Sequence, residues 1–329
     1  MATVKQLHNE RYGDYFEVTN KNGVTLLLSP FGARALELVL PLAEGPRNVL
    51  VGFDTIEGHK GKYFNASIGP VAGRIAKAQF ELEGKVYQTE ANQKGNTLHG
   101  GFHGFDLETW TGTPFEKEGA SGVVFTLERN DGDYGFPGNL KVEAIYTLTD
   151  EDEYKFGFTA TTDQATLFNP TNHGYYNLTG SPSNPIDEHR LEVHASKVAE
   201  TRDDVTTTGE LLPVSGTKFD FFTEKTIGDT MLDDPFVLDK DQEQALVLTA
   251  PDGKVALTLT TTEPAVVIYT TGESEVGYEM NGGPMTLHGS VAIEPQKIPG
   301  TESYPQFGSI TLTPDKPYFA ESQFKLTYQ

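Results

Sequence analysis

The sequence predicts an all-β fold, a large antiparallel β-sandwich, and three observations lead there. Apolar residues recur with a period of two almost everywhere. Short turn dipeptides separate many of these alternating runs. No sustained apolar stripe at helical spacing exists, and 34 Gly and 19 Pro punctuate the chain too often to leave room for one.

Taken in order, Asn22-Gly23 sits between Y-F-E-V-T and V-T-L-L-L-S. Glu83-Gly84 turns the run containing Phe80 and Leu82 into K-V-Y-Q-T, and Asp252-Gly253 lies between L-V-L-T-A and K-V-A-L-T-L-T. Such dipeptides adopt positive φ cheaply and match the twist of a hairpin. Longer strands are predicted at 122–129, 139–148 and 154–162. Strands arriving in hairpins, rather than alternating with helices, argue for antiparallel pairing. H-R-L-E-V-H at 189–194 reads as a strand carrying surface histidines. The run S-V-A-I-E-P-Q at 290–296 reads as a strand that aims Glu294 into something, with Pro295 ending the ladder for want of an N–H.

A length of 329 residues is a soft prior for about two domains. No Ser/Gly-rich or Pro-rich linker, low-complexity tract or fixed-period repeat divides the chain, so one domain over 1–329 is expected. Hydrophobic residues make up 37%, with 20 Phe and 14 Tyr, enough for an aromatic-rich core.

Lys and Arg number 25 against 47 Asp and Glu, a formal charge of −22. That balance repels phosphate backbones and anionic membrane surfaces, so neither nucleic acid nor membrane is an expected partner. A neutral small molecule is. Zero cysteines remove disulfides, thiolate zinc sites and a Cys nucleophile. The absence of a signal-peptide core or an apolar run of about 18 residues fits a cytoplasmic protein. Oligomeric state is not legible.

Four polar residues interrupt the β pattern in Gly-, Asn- or Pro-rich surroundings. They are Arg74 in G-P-V-A-G-R, His99 in N-T-L-H-G-G-F-H, His173 in T-N-H-G-Y-Y-N-L and Glu294 in A-I-E-P-Q-K-I-P. Taken singly, each reads as an ordinary structural residue. His99 and His103 are four apart, the spacing of a helical metal pair, but Gly100 and Gly101 disfavour a helix and no acidic third ligand lies nearby. No nucleophile elbow, Walker loop or dinucleotide fingerprint occurs. Acid–base chemistry by His and Glu is the most economical enzymatic reading.

These four motifs, in this order and spacing, resemble the signatures of the galactose mutarotase (aldose 1-epimerase) family over nearly the whole chain. The resemblance implies a β-supersandwich with a sugar held in a cleft on one sheet. It implies interconversion of the α and β anomers of free aldoses such as galactose and glucose, with no metal or cofactor. By matched motif, Glu294 resembles the general base and His173 the general acid. Arg74, His99 and Asp233 resemble sugar ligands. Two departures stand out: Tyr175-Tyr176 replaces the family's Tyr-Phe, and Asp234 stands where the family commonly has His. The second leaves open which aspartate is the ligand, with Asp233 expected inward and Asp234 near the rim.

Other readings remain at this stage. A hexose-6-phosphate 1-epimerase needs a cationic cluster, and only Arg74 and Lys77 lie near the motifs. A glycosidase would pair Asp233 with Glu294. A non-catalytic carbohydrate-binding protein would not require both His173 and Glu294.

Overall fold

A computed structural model describes all residues 1–329. Three antiparallel sheets carry the architecture. The first is a five-stranded meander running in chain order from Thr3–Asn9 to Gly45–Asn48. The second has nine strands, in the order 111–117, 120–129, 140–149, 153–162, 318–328, 255–261, 246–249, 190–193 and 225–226. The third has six, in the order 174–176, 291–296, 265–270, 233–237, 197–201 and 207–213. No α-helix forms; four short 3₁₀ turns are the only helical segments. No helix is long and apolar enough to cross a membrane.

The alternation read from the sequence becomes burial alternation. In Val255–Thr261 the residues Val255, Leu257 and Leu259 are buried while those between them are half-buried or exposed. Side chains from all three sheets meet in a continuous core. Leu26, Leu28 and Leu38 come from the meander, Val142, Tyr146, Phe156 and Phe324 from the nine-stranded sheet, and Phe236, Ile268 and Ile293 from the six-stranded sheet. Asn22-Gly23, Glu83-Gly84 and Asp252-Gly253 each connect adjacent antiparallel strands, as expected. The strands expected at 122–129, 139–148 and 154–162 form as Ala120–Arg129, Leu140–Thr149 and Glu153–Thr162.

Two local expectations are corrected. Pro295 does not end its strand: Val291–Gln296 continues through it, pairing Pro295 with Val266 and Gln296 with Ala265. The proline is tolerated because the strand on the other flank, Gly174–Tyr176, pairs only as far as Ile293. Thr171 fills the opening by donating its hydroxyl to the Pro295 carbonyl at 2.7 Å. His189 is not a surface histidine. It is fully buried, and its Nε2 accepts the Leu178 N–H at 2.9 Å.

Candidate active site

One face of the six-stranded sheet builds the floor of a cleft. Register puts Tyr175 and Tyr269 opposite Ala292, Val267 opposite Glu294, Asp233 opposite Tyr269, and Pro235 opposite Val267. Paired residues share a face and every second residue returns to it. Tyr175, Glu294, Gln296, Val267, Tyr269, Asp233 and Pro235 therefore all point the same way, and all line the cleft. The intervening Ile293, Ile268 and Phe236 enter the core from the other face. The cleft encloses about 290 Å³. That is at the small end of ligand sites, which run roughly 300–1,000 Å³, and suits a single-ring molecule.

Loops bring the remaining groups. Leu98 pairs with Arg74 across a two-residue bridge, and His99 follows at once in a left-handed turn, φ 52°. Its backbone N–H donates to Gly73 O at 3.0 Å, and Gly73 returns its own N–H to His99 Nδ1 at 3.2 Å. The neighbouring Gly100 is obligatory, because a Cβ there would lie 2.1 Å from Gly69 O and its φ is +88°. His173 sits between Thr171–Asn172 and Gly174–Tyr176, held by backbone bonds to Ala66 and Asn65, each 2.9 Å. The asparagines that surround these motifs in the sequence satisfy backbone: Asn65 Oδ1 accepts the Tyr175 N–H, and Asn172 Nδ2 donates to Asn65 O and to the Tyr146 hydroxyl.

His173 and Glu294 face each other, Nε2 to Oε1 3.3 Å, with both side chains buried. Tyr63 and Tyr175 lie nearly parallel to the His173 ring, at 6.0 and 4.8 Å between centroids. His99 meets the same ring edge-on at 5.3 Å. Burial drives both partners toward their neutral forms. Glu294 is pushed well above the usual carboxylate range, reinforced by Asp233 and opposed by Arg74. His173 is pushed down to about 3. His173 Nδ1 is buried with no hydrogen-bond partner, and Nε2 is the ring nitrogen that faces Glu294.

Arg74 is fixed by donating Nε to Gln93 Oε1 at 2.7 Å, and its guanidinium lies 3.7 Å from Asp233. Burial raises the Asp233 carboxyl and Arg74 partly offsets this. The register settles which aspartate faces the cleft, and corrects the expected place of Asp234. Asp234 is not at a rim; it is buried on the opposite face, its Oδ2 accepting the Asp233 N–H at 3.0 Å. All five residues singled out from sequence thus converge on one cleft. Tyr63, Gln93, Tyr269, Glu275 and Gln296 line it too and were not foreseen. Of these, only Gln296 carried a signal, two residues beyond Glu294 on one strand.

The His99/His103 pairing does not form: His103 turns outward to Glu90 at 2.9 Å and stacks on Tyr134. His99, His173 and Glu294 do present three ligand atoms within 4.8 Å of one another. The tautomer of His99 opposes a metal there. Nδ1 accepts a hydrogen bond, so Nε2 carries the proton, whereas a ligating histidine normally donates from the ring nitrogen that is not on the metal. His99 is built as a neutral hydrogen-bond donor, and burial holds its pKa well below the usual value.

Residues 14–325 match the family model described as aldose 1-epimerase. The chain is 35% identical to human galactose mutarotase over 293 residues, 85% of this chain and 84% of that protein. It is 32% identical to the aldose 1-epimerase of Haemophilus influenzae over 324 residues, 93% of each. The crystal structure of the GalM/aldose epimerase homologue from C. elegans superposes with a TM-score of 0.88 at 28% identity, covering 99% of both chains.

Proposed function

The chain belongs to the aldose 1-epimerase family, and from that premise we propose that Glu294 and His173 are the base and acid that open and close the sugar ring. Its activity is aldose 1-epimerisation, the exchange of α and β anomers of a free aldose. The reaction requires one group to take the proton of the C1 hydroxyl while another protonates the departing ring oxygen. The open aldehyde turns about C1–C2 and recloses with the roles reversed. The observation that carries the assignment is the buried 3.3 Å contact between His173 Nε2 and Glu294 Oε1.

The resting pair, neutral acid and neutral imidazole, holds the same single proton as the working pair of carboxylate and imidazolium. Moving that proton across the contact arms the site. Burial helps both halves: a carboxylate with raised proton affinity accepts the C1 proton readily, and an imidazolium with lowered affinity releases its own readily. His99, donating from Nε2, Arg74 and Asp233 are assigned to sugar oxygens. Three tyrosines, Tyr63, Tyr175 and Tyr269, supply apolar walls. A phosphorylated hexose is not favoured, since Arg74 is the one Lys or Arg that lines the cleft. We assign the protein to the cytoplasm on its cysteine-free composition.

The test is polarimetry on freshly dissolved α-galactose and α-glucose with Glu294→Gln. The amide keeps the shape but cannot accept the proton. Mutarotation is expected to fall by about 10² to 10⁴-fold while sugar binding, followed by calorimetry, persists. Equilibration at the parent rate would remove Glu294 from the role of base.

A further inference from the structure

Glu294 and Gln296 stand two residues apart on the strand Val291–Gln296, so both side chains leave it on the cleft face, and both are buried. The Glu294 carboxyl has one side-chain partner on each oxygen. His173 Nε2 meets Oε1 at 3.3 Å, and Gln296 Nε2 donates to Oε2 at 3.5 Å. Arg74 and Asp233 act on the same carboxyl through their charges.

The fold does not account for the Gln296 amide. Asn65, Asn169 and Asn177 are buried amides of neighbouring segments, and each bonds main-chain atoms through both its nitrogen and its oxygen. Such amides tie loops down. The Gln296 side chain bonds no main-chain atom; its one partner is Glu294, and its Oε1 is buried without any. Opposite it in the sheet is Ala265, part of a small apolar cluster with Ala199 and Ile298. An unbranched apolar side chain of the same length would suit that surrounding better than an amide with one long bond and an orphaned oxygen.

We propose that Gln296 is a positioning residue for the base: it holds Glu294 Oε2 from the side away from His173 and stabilises the carboxylate form in which Glu294 works. The proposal rests on the reading of Glu294 as the base and adds the group that orients it.

A donor on Oε2 leaves Oε1, on the His173 side, as the oxygen that carries the proton of the resting pair. When that proton crosses to His173, the bond from Gln296 becomes charge-assisted, and such bonds are shorter and roughly twice as strong as neutral ones. The 3.5 Å length fits the neutral resting state. Gln296 therefore favours the armed form over the resting one. It also fixes the carboxylate plane, because the last torsion of a glutamate is broad and a contact at each oxygen is what holds it. Gln296 lowers the proton affinity of Glu294, in the same direction as Arg74 and against burial. Asp233, His99, His173 and Tyr175 bear on that carboxyl as well, but only Gln296 bonds Oε2.

The experiment is steady-state polarimetry on α-galactose with Gln296→Met, alone and in the Glu294→Gln background, and with Gln296→Glu. Methionine keeps the length and volume and removes the donor. Its kcat is expected to fall about tenfold or more with KM within about threefold. Its kcat/KM profile should move to higher pH, because a carboxylate without its donor holds its proton more tightly. In the Glu294→Gln background the same substitution should change the rate by less than about twofold, since the group it acts on is gone. Gln296→Glu keeps the shape, so it carries the test should Gln296→Met fail to fold. At about pH 8 two carboxylates repel, whereas toward about pH 6 the new acid can donate its O–H to Oε2; the rate relative to the parent should recover as pH falls. A parent-like kcat in Gln296→Met, an equal loss in both backgrounds, or a Gln296→Glu ratio that is flat with pH would each overturn the proposal, while an impaired Glu294→Gln keeps the base assignment standing. Equilibration by Glu294→Gln at the parent rate would overturn that assignment and this proposal with it.

Discussion

Two histidine–carboxylate pairs lie near the same glycine-rich turn, and they differ in a way that hydrogen-bond length does not capture. His103 and Glu90 approach to 2.9 Å, closer than the 3.3 Å of His173 and Glu294. Yet the His103 side chain is 49% exposed and that of Glu90 26%, against 6% and 3% for the buried pair. Water screens the outer pair, which behaves as an ordinary surface contact worth little. The inner pair is stripped of water, so each member's proton affinity moves, in opposite directions, toward neutrality. Desolvation, rather than proximity, separates the proposed acid–base pair from a surface contact.

The largest effect should come from breaking the two pairs in turn. His173→Asn is expected to lower kcat about 10² to 10⁴-fold with little change in KM, as for a group acting in the transition state. His103→Asn should leave both within about twofold. Comparable losses in polarimetric rate from the two variants would erase the distinction.

Next in size is the contrast between adjacent aspartates. On the proposed role of Asp233 as a sugar ligand, Asp233→Ala should raise KM for galactose by about tenfold or more. Asp234→Ala, on the opposite face, should keep KM within about threefold and show itself instead as a lowered Tm, because it frees the Asp233 N–H. The reverse pattern would mean that Asp234, not Asp233, carries the sugar contact.

A smaller effect concerns pH. Arg74 lowers and Asp233 raises the proton affinity of Glu294. The active pair holds one proton, so the limbs of a bell-shaped profile belong to the pair rather than to either residue. Arg74→Gln should slide the kcat/KM profile to higher pH by roughly half to one unit, and Asp233→Asn should slide it to lower pH. Shifts of the same sign in both variants would exclude this electrostatic account.

The smallest is thermal. The folded pKa of Glu294 lies above its unfolded value, so its contribution to stability is complete below about pH 4.3 and is lost as pH rises through the folded pKa. Glu294→Gln has no proton to lose. Its Tm should exceed that of the parent at pH 8 by roughly 1–3 °C, with the gap shrinking toward pH 4. An unchanging gap across that range would disconnect the effect from ionisation.

The sequence by itself determined much of this protein. Period-two patterning and the Asx-Gly and Glu-Gly turns specified antiparallel strands, because both are local properties of three to ten residues. The four motifs named the groups of the cleft, because His, Glu and Arg in Gly- and Asn-rich breaks are visible one segment at a time. Tertiary structure decided the rest. Pro295 looked like a terminator because a proline cannot donate to a neighbour; only the sheet order shows that no neighbour needs that bond. Asp234 was expected near the rim once Asp233 pointed inward, whereas the pairing of Asp233 with Tyr269 turns Asp234 to the other, buried face. Tyr63, Gln93 and Glu275 reach the cleft from segments with no motif of their own. How far burial and Arg74 shift Glu294 was not legible in the sequence, because desolvation depends on everything packed around a group and not on its neighbours in the chain.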